Sequence, residues 1–100
     1  MAAVKVERRV YSMPLPQLFG LCLTALGLLR ATIERHDLEQ GTIVALVGEG
    51  LLGPISKLVL ALRPLDEGRT ELLVTWQAHK RGGDRRLLTV FMDSVSGLIE

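Results

Sequence analysis

A single cysteine, Cys22, cannot close an internal disulfide, so nothing in the chain calls for an oxidising compartment. Charge of one sign is lacking too. Twelve Lys and Arg stand against 11 Asp and Glu, a formal net charge of +1, which gives no global field to attract or repel nucleic acid. Tyr11 and Trp76 are the only hydrogen-bonding aromatics. Nucleic-acid grooves combine basic residues with exposed stacking rings, so this scarcity argues against such a partner. The two histidines, His36 and His79, have no Cys or His at ligand spacing, and no metal site is expected. No long low-complexity linker and no internal repeat is visible. These absences leave the cytoplasm as the default location.

What is present is apolar residue. It makes up 48% of a 100-residue chain, enough for one two-layer domain over residues 1–100 and too much for disorder. The longest apolar segment, Leu15–Ile33, is dominated by Leu, Ala, Gln and Arg and predicts a helix ending near Arg35-His36-Asp37. Leu15, Leu18, Cys22, Leu26, Leu29 and Ile33 form one apolar stripe, widened by Phe19 and Ala25. The opposite face carries Gly20, Thr24, Gly27 and Ala31, small residues that permit close approach of a second element or a second copy. Gln17, Thr24, Arg30 and Thr32 interrupt the segment, so no membrane span is expected. A signal peptide is not expected either, because no basic region and short apolar run stand at the N-terminus.

Around this helix the chain reads as strands. In Val4–Met13, Val4, Val6 and Val10 alternate with Lys5, Glu7, Arg9 and Tyr11, and Arg8 breaks the apolar side: a half-exposed strand. Thr42–Val47 is apolar on both faces and suits a central strand. Ile55–Arg63 is ambiguous. Ile55, Leu58, Val59 and Leu62 fit a helix, whereas Ser56, Leu58, Leu60 and Leu62 fit one face of a strand, the reading favoured by the flanking turn signals. Pro64–Gly68 reads as a hairpin turn. In Thr70–Lys80, Leu72, Val74, Trp76 and Ala78 face the core. A closing helix follows Asp84, with Leu87, Leu88, Phe91, Val95 and Leu98 inward. The expected fold is an α+β two-layer sandwich in the order β-α-β-β-β-α, a four-stranded antiparallel sheet with both helices on one face.

Candidate chemistry is sparse. Gly48-Glu49-Gly50-Leu51-Leu52-Gly53 matches G-x-G-x-x-G, but a dinucleotide loop must open a helix, and here a strand follows and Glu49 opposes a phosphate. A glycine-rich turn is the better reading. Lys80, Arg81, Arg85 and Arg86 form the only basic cluster, a candidate anion contact at a helix start, weakened by Asp84. Ser94 and Ser96 lie on a helix with no histidine linked to them in sequence, so no catalytic constellation is found and no cofactor is implied.

Ala25-Leu26-Gly27, the Gln40-Gly41-Thr42-Ile43 strand entry and the closing amphipathic helix together resemble small βαβββα domains of BamC-type outer-membrane lipoproteins and of several uncharacterised bacterial families. The resemblance implies the fold over most of the chain. It transfers no functional residue, and without a cysteine near the N-terminus no lipidation is carried over. Excess apolar surface on the Gly20/Gly27 face and at Val59 and Leu73 leads to the expectation of a non-enzymatic, self-associating interaction or accessory module, a homodimer or a partner of another protein. The alternative is a carrier of a small apolar ligand or lipid held between the long helix and the sheet, and after that a weak anion or nucleic-acid binder.

Overall fold

A computed structural model describes residues 4–48, 56–78 and 86–99. They form β1 (Val4–Tyr11), α1 (Leu15–Leu28), β2 (Thr32–Asp37), β3 (Thr42–Val47), β4 (Ser56–Asp66), β5 (Arg69–Ala78) and α2 (Arg86–Ile99). The strands make one antiparallel sheet in the order β1-β5-β4-β3-β2, and both helices cover the same face of it. The α+β class with an antiparallel sheet and two helices stands. The sheet has five strands rather than four.

The extra strand comes out of the long apolar segment. α1 stops at Leu28, where a helix running to Arg35 was expected. Arg30 takes a left-handed backbone, φ 57°, and the helix closes as a Schellman motif: Ala31 N donates to Leu26 O at 2.9 Å and Arg30 N to Gly27 O at 3.0 Å. The chain then leaves in a new direction. β-branched Thr32 and Ile33 pair with Leu46 and Ala45 of β3, and a bulge follows between Ile33 and Arg35.

Elsewhere the strand periods hold. Ser56, Leu58, Leu60 and Leu62 on β4 and Leu72, Val74 and Trp76 on β5 are all buried on the helix-facing side. The ambiguous segment is therefore a strand, and it runs on to Asp66. Only Glu67 and Gly68 separate it from β5, so the turn is shorter than Pro64–Gly68. At its tip Asp66 accepts from Arg69 Nε at 2.7 Å and Gly68 N at 2.9 Å, and these bonds hold its carboxyl below the usual range.

α1 contributes Leu18, Phe19, Cys22, Ala25 and Leu26 to the core, and α2 contributes Leu88, Phe91, Met92 and Val95. Gly41 locks β3 to β4. It sits at φ 67°, its carbonyl oxygen accepts a hydrogen bond from Leu62 N at 2.7 Å, and it leaves no room for a Cβ, which would collide with the Leu62 carbonyl.

The face of β1 that meets the helices is the polar one. β5 places Trp76, Val74, Leu72 and Thr70 inward, and their register partners are Lys5, Glu7, Arg9 and Tyr11. Val4, Val6 and Val10 therefore lie on the outer face and stay about half exposed. The apolar side of the strand looks away from the core.

Candidate ligand-binding site

This reversal places polar side chains beneath α2. Arg9 Nη1 donates toward Ser96 Oγ on α2 at 3.5 Å, and Arg9 Nη2 lies 3.4 Å from Glu7 Oε1. Tyr11 is the next residue inward on the same strand face, after Arg9. Its hydroxyl is buried and makes no hydrogen bond of good geometry among the described residues. Burial pushes its pKa up, although the nearby Arg9 charge and the Ser96 hydroxyl pull the other way, so Tyr11 stays a neutral phenol. Thr70, its partner across the strands, is committed elsewhere: the Thr70 hydroxyl donates to Met13 O at 2.8 Å inside the protein.

The cluster grades from wet to dry. The Arg9 side chain keeps 41% of its surface exposed and that of Glu7 33%, while the Tyr11 oxygen is inaccessible. Its chemistry is that of a polar anchor: a phenol able to donate and accept, and a guanidinium partly neutralised by Glu7. No group of three or more His, Cys, Asp or Glu that could hold a metal occurs among the described residues.

The space between α1 and the centre of the sheet is filled. Leu18, Cys22 and Leu26 meet a floor of Ile43, Leu58 and Leu60, and all six are fully buried. A ligand held there would have to displace the core. Among the described residues, the polar edge beneath α2 is where the same two layers leave a buried side-chain group unsatisfied.

The residues singled out from sequence do not converge. Gly20, Thr24 and Gly27 are exposed on α1, and a Cβ on either glycine would meet nothing within 4 Å. Ala31 lies past the helix end and packs partly against the core, so it does not continue their face. Val59 and Leu73 lie on the outer sheet face, half-buried. Arg86 is exposed at the start of α2; Lys80, Arg81 and Arg85 lie outside the described residues, as do His79 and most of the glycine-rich turn. The Glu7–Arg9–Tyr11–Ser96 cluster was missed. One signal for it existed: an alternating edge strand that keeps its only aromatic, Tyr11, on the charged side.

No family model matches the chain, and no curated protein matches it in sequence. The fold has solved counterparts. The crystal structure of Ara h 8.0201 superposes with a TM-score of 0.71 at 12% identity, covering 99% of this chain and 98% of that one. A conserved protein from Geobacillus kaustophilus gives a TM-score of 0.51 at 11% identity, covering 97% of this chain and 95% of that one. At such identities the likeness is one of fold. No helix among the described residues is long and apolar enough to cross a membrane.

Proposed function

We propose that the protein is a small-molecule carrier that takes a largely apolar ligand bearing one carbonyl, hydroxyl or carboxylate group between β1 and α2. One observation supports this above the others. The Tyr11 hydroxyl is buried on the inner sheet face with no hydrogen bond of good geometry among the described residues, although Arg9 and Ser96 stand close by. Such a group costs about 1–3 kcal/mol if left unpaired, and a polar ligand atom recovers that cost. Arg9 and Ser96, 3.5 Å apart, would orient the polar end, and a ligand entering there would part α2 from β1 against Phe91, Met92 and Val95, which are fully buried without it. This moves the expected apolar-ligand site from the α1–sheet interface to the β1 edge, and it ranks ahead of self-association through α1, whose small-residue face has no partnered surface among the described residues.

The test is native mass spectrometry of protein purified without added ligand, followed by titration with decanoate and decanol as probes. A retained small-molecule mass, or probe binding weakened several-fold by Tyr11→Phe with an unchanged melting temperature, is the expected result. Uniformly apo protein whose probe affinity is the same with Tyr11 and with Phe would overturn the reading, and would leave the hydroxyl satisfied by an internal water.

A further inference from the structure

The face of the sheet turned away from the helices is neither flat nor evenly polar. One register row crosses all five strands: Val6 of β1, Thr75 of β5, Val59 of β4, Val44 of β3 and Arg35 of β2. The adjoining row holds Leu73 and Ala61 at its centre. Val44 is only 8% exposed although nothing from the helix layer covers this side. It forms, with Val59 and Thr42, the floor of a depression of about 390 Å³ whose walls are Arg35, Asp37 and Gln40. The bulge in β2 stands beside this wall.

Charge on this face is lopsided. Among the residues paired in register, Arg8, Arg35, Lys57, Arg63 and Arg69 face outward against Asp37, Asp66 and Glu71, and Asp66 and Arg69 pair with each other. Glu71 is already shared by Arg8, at 3.6 Å, and Arg63, at 3.3 Å. Arg35 and Lys57 have no ion pair among the described residues, and they flank the apolar row at its end and side.

We infer that this outer face docks an acidic amphipathic helix of a partner protein, with the apolar stripe of that helix along the Val6–Val44 row and its carboxylates on Arg35 and Lys57. The dimensions agree. Five strands at about 4.8 Å spacing span roughly 19 Å, the length of about 13 helical residues. A helix laid there gives the sheet a cover on its second face, with one large apolar side chain seated in the depression. A second copy of this chain is a poorer occupant, because face-to-face pairing would set unpaired cations against unpaired cations. A lipid surface is poorer too: it reaches the half-exposed Val6 but not Val44 at the bottom of the depression.

The probe is a synthetic 13-residue helix with leucines at i, i+3, i+4 and i+7 and glutamates on its flanks, titrated into isotopically labelled protein and followed by amide NMR shifts. The expected result is shifts at Val44, Val59, Leu73 and Thr75, at least tenfold weaker binding in the Arg35→Glu/Lys57→Glu variant, and further weakening with salt. Both substituted positions are on the surface, and an unchanged circular dichroism melt confirms the fold. Tyr11→Phe leaves this binding unaltered, which separates it from the ligand site beneath α2. Equal binding of the same peptide with lysine flanks overturns the inference, as does no binding. So does binding of phosphatidylglycerol vesicles in place of the peptide, or the same amide shifts appearing with protein concentration alone.

Discussion

The indole Nε1 of Trp76 donates a 3.0 Å hydrogen bond to the hydroxyl of Ser56 across the buried face of β4 and β5. Both side chains are essentially inaccessible to water, and each is the other's polar partner among buried apolar neighbours. Ser56→Ala leaves the indole N–H buried and unpaired, a loss of about 1–3 kcal/mol. Urea unfolding followed by the emission of this sole tryptophan measures it, and a wild-type midpoint would mean that the N–H finds another acceptor.

Two glycine-related sites respond in opposite directions. Gly41→Ala puts a Cβ against the Leu62 carbonyl at a backbone angle that suits glycine, and a loss of about 2 kcal/mol or more is expected. Gly20→Ala, in the exposed middle of α1 with nothing within 4 Å, should raise stability by about 1 kcal/mol. A loss at Gly20 in dilute protein would show that the small-residue face is packed in solution after all, the self-association expected from sequence.

The sequence made most of the architecture legible because buried strands announce themselves by period. Thr42–Val47 has the bounds read from its apolar run, and the alternation of Leu72, Val74 and Trp76 gave the correct inner face. What was illegible depended on single backbone choices or on pairing. The end of α1 rests on a left-handed Arg30, a conformation that arginine does not advertise, so in sequence the stripe runs on through Leu29 to Ile33 although Ile33 belongs to a strand. The inner face of β1 is fixed by its register with β5 rather than by its own valines. For that reason the Arg9–Tyr11–Ser96 cluster, which joins residues 87 positions apart, had no local signature beyond the placement of Tyr11.

The Arg30 position yields its own prediction. Arg30 occupies the C′ position of the Schellman motif, where an L side chain costs energy that glycine avoids. Arg30→Gly is expected to stabilise the fold by about 1 kcal/mol, read as a higher melting temperature. A destabilised variant would show that the Arg30 side chain makes up for its backbone conformation in solution.

Cys22 gives the pH dependence. Its thiol is wholly buried on α1 against the sheet, and desolvation lifts its pKa from 9.0 to about 12. In the unfolded chain the thiol ionises near its ordinary value, so between about pH 9 and pH 12 the unfolded state holds fewer protons than the folded one. Stability must therefore fall as pH rises through that window, with a slope approaching about 1.4 kcal/mol per pH unit from this group alone. Cys22→Ala removes that slope, at the cost of a small cavity that lowers stability at every pH. Urea unfolding at pH 8 and pH 10.5 compares the two proteins, and native Cys22 should resist a thiol reagent at both pH values until the chain opens. Prompt labelling of folded protein at pH 8 would contradict the burial from which the slope follows.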